Sequence, residues 1–431
     1  MPTHGILWIS IILLLMSIGC SKETDKNSPR VEFELPGNAF SAQIPTAFTV
    51  RVKVTDDKAL VSLSVMIVDE NNVPISPGFT ADLSGTNSTI ERELTITDER
   101  ILSGPYKLVA RAYDGTNEGR AFHSFNINAA PLRLRAIYLT PSNGSSPALI
   151  AKIDSIGVIS TFATINEFHG SAIDGSTQHL YIAGGQYDPV IAYATSGTSA
   201  QWQVNNSNAL PYPYFTGLDL DPTDNKVYVC SNDQFIRGYS GNGTQQFTAL
   251  SIPDFRPYKT LVLGDILVNE QRSNTLPQRK LVTYASSSGA LYEQWPLDVD
   301  LIDMYRRTDQ TFLTIGNRNG DGVIVERHAT LGGTYEMQVF SGNEITATTR
   351  INDAQFVIAV GSEIKGFDVT TGILSTMALQ PADALAYDAA AGVVLVGNGD
   401  QLHTLDPNSG AILGTVTIPL QIGKILPLYN R

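Results

Sequence analysis

Apolar and polar residues alternate with a period of two through much of this chain, the spacing of half-buried antiparallel strands rather than of helices. Phe48, Val50, Val52 and Val54 share one parity, and Val61, Leu63, Val65 and Ile67 share another, with Thr55-Asp-Asp-Lys58 as the polar turn between the runs. Tyr106, Leu108, Ala110 and Ala112 mark one face of a hairpin whose second arm is Ala121 to Ile127. Strands at this spacing predict a seven-stranded β-sandwich over residues 31–128.

From residue 132 onward the pattern becomes a repeat: an apolar strand, a short polar turn ending in glycine, then another strand. The glycines are Gly157, Gly197, Gly243, Gly289, Gly332, Gly372 and Gly410, separated by 40, 46, 46, 43, 40 and 38 residues. A unit of this length cannot bury its own faces and must stack on copies of itself. One blade per hairpin predicts a seven-bladed β-propeller over residues 132–431, so the fold class is all-β throughout. The first unit lacks an opening strand, and Lys424 to Tyr429 is a strand left over. The C-terminal strand is therefore predicted to complete the first blade and close the ring.

Charge removes some partners. A net charge of −13 repels nucleic acid and anionic lipid surfaces, which are held by basic faces. At the N-terminus, Ile6 to Ile18 is an apolar run broken only by Ser10 and Ser17, shorter than the roughly 18 residues that span a bilayer and close to a signal-peptide core. It ends in Ser17-Ile-Gly-Cys20, which resembles the lipobox of bacterial lipoproteins, although residues 1–19 contain no Lys or Arg where that family places a basic segment. The resemblance implies a lipoprotein signal peptide over residues 1–19, and a Cys20 that is acylated and becomes the first residue of the mature chain. Residues 20–30 then form the tether. Ser21-Lys-Glu-Thr-Asp25 resembles the signal that carries surface lipoproteins of the Bacteroidetes group across the outer membrane. An outer membrane lipoprotein exposed at the cell surface is the implied address. With Cys20 acylated, Cys230 is left as a lone thiol in a strand-like Val-Tyr-Val-Cys run, the setting of a small buried hydrophobe.

The runs VKVTDDKALVSLSVMIVDEN and YKLVARAYDGTNEGRAFHSFNI resemble bacterial immunoglobulin-like and cadherin-like domains. Some cadherin-like relatives bind calcium, but Asp56, Asp57 and Asp114 are accounted for by turn chemistry and supply fewer than the six to eight oxygens that calcium takes. No metal is expected. The motifs FDVTTG and LDPNSGAILGTVTIP resemble the repeats of YVTN and quinoprotein-like propellers. The tryptophan that quinoprotein repeats place after the glycine is echoed only at Trp202 and Trp295, and no Trp-Asp dipeptide is present. No cofactor is expected, and the likeness carries a fold rather than an activity.

No nucleophile elbow, phosphate loop or zinc-ligand spacing occurs. Asn317-Arg-Asn-Gly-Asp-Gly322 spaces oxygens as calcium loops do but reads as a hairpin turn. The surface singled out lies where one blade hands over to the next. His169, Tyr212, Tyr214, Phe255, Arg256, Tyr258, Tyr305 and Arg306 fall in or beside these aromatic, proline-rich connections, where they would ring one mouth of the channel. The competing reading has the aromatics packing between blades. The function expected is a lipid-anchored envelope protein whose propeller is a non-enzymatic binding platform for a glycan, peptide or envelope-protein partner. Two alternatives stand beside it. One is a propeller lactonase, lyase or glycan hydrolase with its site in the channel, and the other is a structural subunit of an envelope complex.

Overall fold

The computed structural model describes residues 25–186, 188–207, 213–221 and 223–431; the leader, Cys20 and Tyr212 lie outside the described residues. Every regular element among the described residues is a β-strand. The chain divides into two compact units between Pro131 and Leu132.

In the first unit a three-stranded sheet (Arg30–Leu35, Thr46–Thr55, Asn87–Ile96) and a five-stranded sheet (Ser41–Gln43, Glu118–Asn128, Gly104–Tyr113, Ser62–Val68, Phe79–Asp82) share one core. That makes eight strands among the described residues where the sequence predicts seven, since the three-residue Ser41–Gln43 is too short to show an alternation. Period-two alternation puts Phe48, Val50, Val52 and Val54 inside from one sheet, and Leu63, Val65, Ile67, Leu108, Ala110 and Ala112 inside from the other. Each buried Val, Leu or Ile contributes about 1.5–3 kcal/mol. Val61 departs from its expected parity. It is 45% exposed and precedes the strand that starts at Ser62, and Leu60, at 3%, fills the core position instead. The pleat has not begun at Val61, so the alternation cannot be extended back through the turn.

The described residues of the second unit form four-stranded antiparallel sheets, seven in number. Their innermost strands are Phe168–Asp174, Phe215–Asp221, Phe255–Leu263, Asp300–Arg306, Ile345–Arg350, Ala384–Asp388 and Lys424–Tyr429. These lie side by side in that order, and the last returns to the first, which makes the unit a β-propeller. Lys424–Tyr429 is the inner strand of the sheet whose other members are Leu134–Thr140, Ala148–Asp154 and Ile159–Ile165. One sheet thus holds both ends of the unit. Asn430 adds a clasp: its side-chain oxygen accepts from the Arg133 amide at 2.9 Å, and its own amide donates to the Arg133 carbonyl at 3.1 Å.

The repeating glycines all sit in the turn between the third and fourth strands of their sheets. Six of them, all but Gly197, adopt φ between 65° and 87°, where a Cβ is strained. Four have a second reason to be glycine. A Cβ on Gly243 or Gly332 would overlap the ring of Trp202 or Trp295, and one on Gly289 or Gly410 would overlap the carbonyl of Thr248 or Met377. Each of those residues belongs to the outermost strand of the preceding sheet. The Trp202 ring also lies over Tyr239 and donates to the Gly241 carbonyl at 2.9 Å, so the tryptophans after the glycine dock one sheet on the next.

The two roles separate by mutation. Gly372 has φ near 70° and open space around its would-be Cβ, whereas Gly410 has φ near 72° and the Met377 carbonyl against it. Gly372→Ala is expected to cost about 1–2 kcal/mol for the left-handed backbone alone, and Gly410→Ala about 1–3 kcal/mol more for the overlap. Urea midpoints of the two variants measure the difference, and equal losses would remove the inter-sheet role assigned to Gly410.

Candidate functional site in the central channel

A cavity of about 880 Å³ occupies the channel and is lined from all the inner strands. What turns those strands into a site is a repeated irregularity. In five sheets the register between the inner strand and its neighbour slips at one place: between Phe168 and Gly170, Phe215 and Gly217, Pro257 and Thr260, Leu301 and Asp303, and Ile345 and Ala347. An extra residue there leaves the ladder and re-aims its side chain, the behaviour of a β-bulge. His169, Thr216, Tyr258, Ile302 and Thr346 occupy this point in turn, and all line the cavity.

The next position forms a ring of its own. It holds Gly170, Gly217, Lys259, Asp303 and Ala347, continued by Ala384 and Lys424 in the remaining two strands. The glycines at this level let neighbouring strands approach, since a Cβ on Gly217 would meet the Tyr258 backbone and one on Gly170 would lie 3.3 Å from the Leu218 Cβ, and the three charged residues line the cavity. The Lys259 ammonium donates to Asp303 Oδ1 at 3.2 Å. Asp219 Oδ2 accepts from the Thr260 amide at 2.8 Å, and Lys424 Nζ donates to the Ser171 carbonyl at 2.7 Å. These groups are walled by protein yet open to the cavity, with 32% of the Lys259 side chain and 39% of the Asp303 side chain accessible.

Their electrostatics follow from that position. Burial raises the Asp219 carboxyl above the usual range, against the opposing pull of Lys259, Lys424 and the Thr260 amide. Burial alone would depress Lys259, but Asp303 and Asp219 outweigh it and hold the ammonium above its ordinary value. Lys424 is lowered, first by burial and then by the like charge of Lys259. Behind Lys259 stands Glu270, fully buried opposite the bulge. Its Oε1 accepts from Arg272 Nε at 2.7 Å, and the Arg272 guanidinium stacks on Tyr258 with its carbon 4.3 Å from the ring centre.

Of the residues singled out in sequence, the structure brings His169, Tyr258 and Tyr305 to the cavity wall. His169 Nε2 lies 3.1 Å from Glu167 Oε1. Tyr305 donates to the Thr348 carbonyl at 3.2 Å, and burial pushes its phenol well above the usual range. Tyr214 and Phe255 are buried in the packing between sheets, Tyr214 with its hydroxyl on Asp233 at 3.1 Å and Phe255 beside Tyr284. Arg256 and Arg306 do not line the cavity, and Arg306 is paired with Asp309. Asp219, Lys259, Asp303 and Lys424 escaped the sequence reading. Their signal was a lone charge inside an apolar run, as in Gly217-Leu-Asp-Leu220 and Gly423-Lys-Ile-Leu426.

In the first unit, oxygens of Asp25, Asp56 and Asp114 lie within 4.8 Å of one another, the one group of this kind among the described residues. Asp57 is not part of it and accepts from Asn27 Nδ2 at 2.9 Å. Asp56 accepts from the amides of Lys58 and Ala59, and Asp114 from those of Thr116 and Asn117. These are turn-forming bonds.

No family's sequence pattern matches this chain, and no curated protein does. Solved structures do match. A protein from Lactobacillus plantarum superposes with a TM-score of 0.52 at 14% identity, over 69% of this chain and 100% of that one. The WD40 β-propeller domain of Doa1 gives 0.46 at 11% identity over 67% and 89%. BamB from Moraxella catarrhalis gives 0.41 at 17% identity over 58% and 76%. At these identities the likeness speaks to fold alone.

The raised Asp219 pKa has a consequence for stability. The folded state holds this proton more tightly than the unfolded chain, whose value is about 3.9. The contribution is therefore fully present below that pH and is lost as pH rises through the folded-state value. The stability of wild type relative to Asp219→Asn is expected to fall as pH rises from about 4, the unfolded value, read from urea unfolding at each pH. A difference that does not move with pH would mean that Asp219 titrates alike in both states.

Proposed function

We propose that this protein is a lipid-anchored cell-envelope protein in which an immunoglobulin-like sandwich carries a seven-bladed propeller, and that the propeller is a binding platform for a glycan, peptide or envelope-protein partner. The domains run 31–128 and 132–431, behind a signal peptide over 1–19 and an acylated Cys20 that places the chain at the outer membrane surface. The lipobox-like Ser17-Ile-Gly-Cys20 and the polar tether support the anchor. The observation that carries the binding reading is the state of the channel carboxylates. Asp303 is engaged by Lys259, Glu270 by Arg272, Asp219 by the Thr260 amide and Asp383 by the Gly399 amide. They build a hydrogen-bonded wall that presents Tyr258, Tyr305 and His169. Aromatic and polar groups fixed on strands hold a ligand at low entropic cost.

A second reading has one observation in its favour. Asp219 is a channel carboxyl whose protonated form is stabilised, the property of a general acid. A propeller lactonase, lyase or glycan hydrolase would use it as the proton donor.

Two measurements test these readings. Wild type expressed with its leader is expected to partition into the detergent phase and Cys20→Ala into the aqueous phase; equal partitioning removes the lipid anchor. On glycan and peptide arrays, the double variant Tyr258→Ala, Tyr305→Ala is expected to lose at least tenfold in binding while its circular dichroism spectrum stays that of the folded chain, with a lowered melting temperature because Tyr305 packs on Phe356. Turnover of a lactone or glycoside that disappears in Asp219→Asn would replace binding with catalysis.

A further inference from the structure

We propose that the central channel takes a neutral sugar, whose ring lies across it with hydroxyls on Asp219, Lys259, Asp303 and Lys424. This rests on the binding reading and gives it a ligand class. The wall carries both signs of charge. Asp219, Glu270, Asp303 and Asp383 stand against Lys259, Arg272 and Lys424, so an anion meets the carboxylates and a cation meets the ammonium and guanidinium groups. The two signs also alternate. Asp219, Lys259 and Asp303 come from three consecutive inner strands, and Lys424 comes from a strand separated from this arc by one strand on one side and by two on the other. Each group keeps hydrogen-bonding capacity. The Lys259 ammonium donates to Asp303 and the Lys424 ammonium to the Ser171 carbonyl, one of three donors in each case, while Asp219 accepts through Oδ2 alone among the described residues. A hydroxyl donates and accepts at one atom, and so bridges neighbours of opposite kind.

The layers on either side suit the rest of a pyranose, whose hydroxyls lie around its edge and whose two faces are C–H. One residue before Lys259 stands Tyr258, with the Arg272 guanidinium carbon 4.3 Å from its ring centre. Two residues beyond the level of Lys259 and Lys424, the inner strands bring Leu261, Tyr305, Ala386 and Leu426 to the cavity. The polar belt is thus bounded by an aromatic ring and an apolar band. Two buried groups of the wall ask for the same chemistry. Glu270 is wholly buried and Thr348 is 8% exposed, yet Glu270 Oε2 and Thr348 Oγ1 have no hydrogen-bond partner among the described residues. Both residues line the cavity, and leaving either group unpaired is unfavourable. A ligand hydroxyl satisfies a carboxylate oxygen and a threonine hydroxyl alike, whereas an apolar chain satisfies neither. The volume, about 880 Å³, lies within the range of small-ligand sites.

The test uses the full chain in micelles of a detergent that carries no sugar. The probes are glucose, galactose and mannose, each with its amino and its uronate counterpart. Isothermal titration of wild type is expected to show at least one neutral sugar binding at millimolar concentration, at least tenfold tighter than its two charged counterparts. Asp303→Asn and Lys424→Met are each expected to weaken that sugar at least fivefold, and Lys107→Met, in the first unit, to match wild type. The pair of variants separates the charge classes, because a cationic ligand would lose with Asp303→Asn and gain with Lys424→Met, and an anionic one the reverse. Circular dichroism checks that each variant is folded, and the wild-type titrations decide without the variants if one is not. Three results would overturn the proposal: no neutral sugar binding, a charged counterpart matching its neutral form, or the two variants moving affinity in opposite directions. If the sugars fail while array binding of a peptide through Tyr258 and Tyr305 persists, the neutral sugar falls and the platform stands; loss of both removes both.

Discussion

The second unit depends on one pairing, that of Lys424–Tyr429 with Leu134–Thr140, which joins strands nearly three hundred residues apart in sequence. A stack of small sheets has exposed ends unless it closes, and an open end offers unpaired amides and carbonyls to any other strand. Closure turns the stack into a ring with no terminal sheet and fixes the inner strands around a common axis. The cavity exists because of that closure. Without the last strand the wall would be missing a segment, and the groups that reach across the channel would face bulk water, where their mutual interactions would be weak.

Closure also explains why the inner strands are irregular. A regular strand presents side chains at a fixed period, and seven such strands meeting at an axis would crowd it. The bulge repeated at His169, Thr216, Tyr258, Ile302 and Thr346 breaks the ladder and lets the chain bend toward the next sheet. Gly217 shows how tight the join is, since a Cβ there would meet the backbone of Tyr258, its carbonyl carbon at 2.9 Å. The same irregularity that relieves crowding delivers Lys259 to the cavity, with Glu270 placed opposite to receive Arg272. Fold and site share one device.

This coupling sets what could be read from the residues alone. The glycines near every fortieth position are legible because two demands, a left-handed turn and contact with the preceding sheet, forbid any other side chain at several of them. Burial alternation is legible wherever the pleat is regular, and fails at Val61, where it is not. The channel groups are harder to see. In an ordinary sheet a lone charge in an apolar strand faces solvent, but in a closed ring the face toward the axis is also polar. Asp219, Asp303 and Lys424 therefore look like solvent-facing residues until the ring is assembled. The aromatics of the connections mislead for a related reason. Packing between sheets and lining a mouth recruit the same residue types, and only the fold separates Tyr214 and Phe255 from Tyr258 and Tyr305.

The charge arrangement in the channel bears on how such a wall can be both stable and receptive. Burying ions is costly unless each is paired, and Lys259 lies within the field of both Asp219 and Asp303. That pairing fixes side chains which, on their own, would sample many rotamers. Lys424 shares that field, with Asp219 and Asp303 pulling against the like charge of Lys259 and its ammonium donating to the Ser171 carbonyl, on the one inner strand that arrives last in the chain. A wall whose charges share one field has met part of its desolvation cost before a ligand enters.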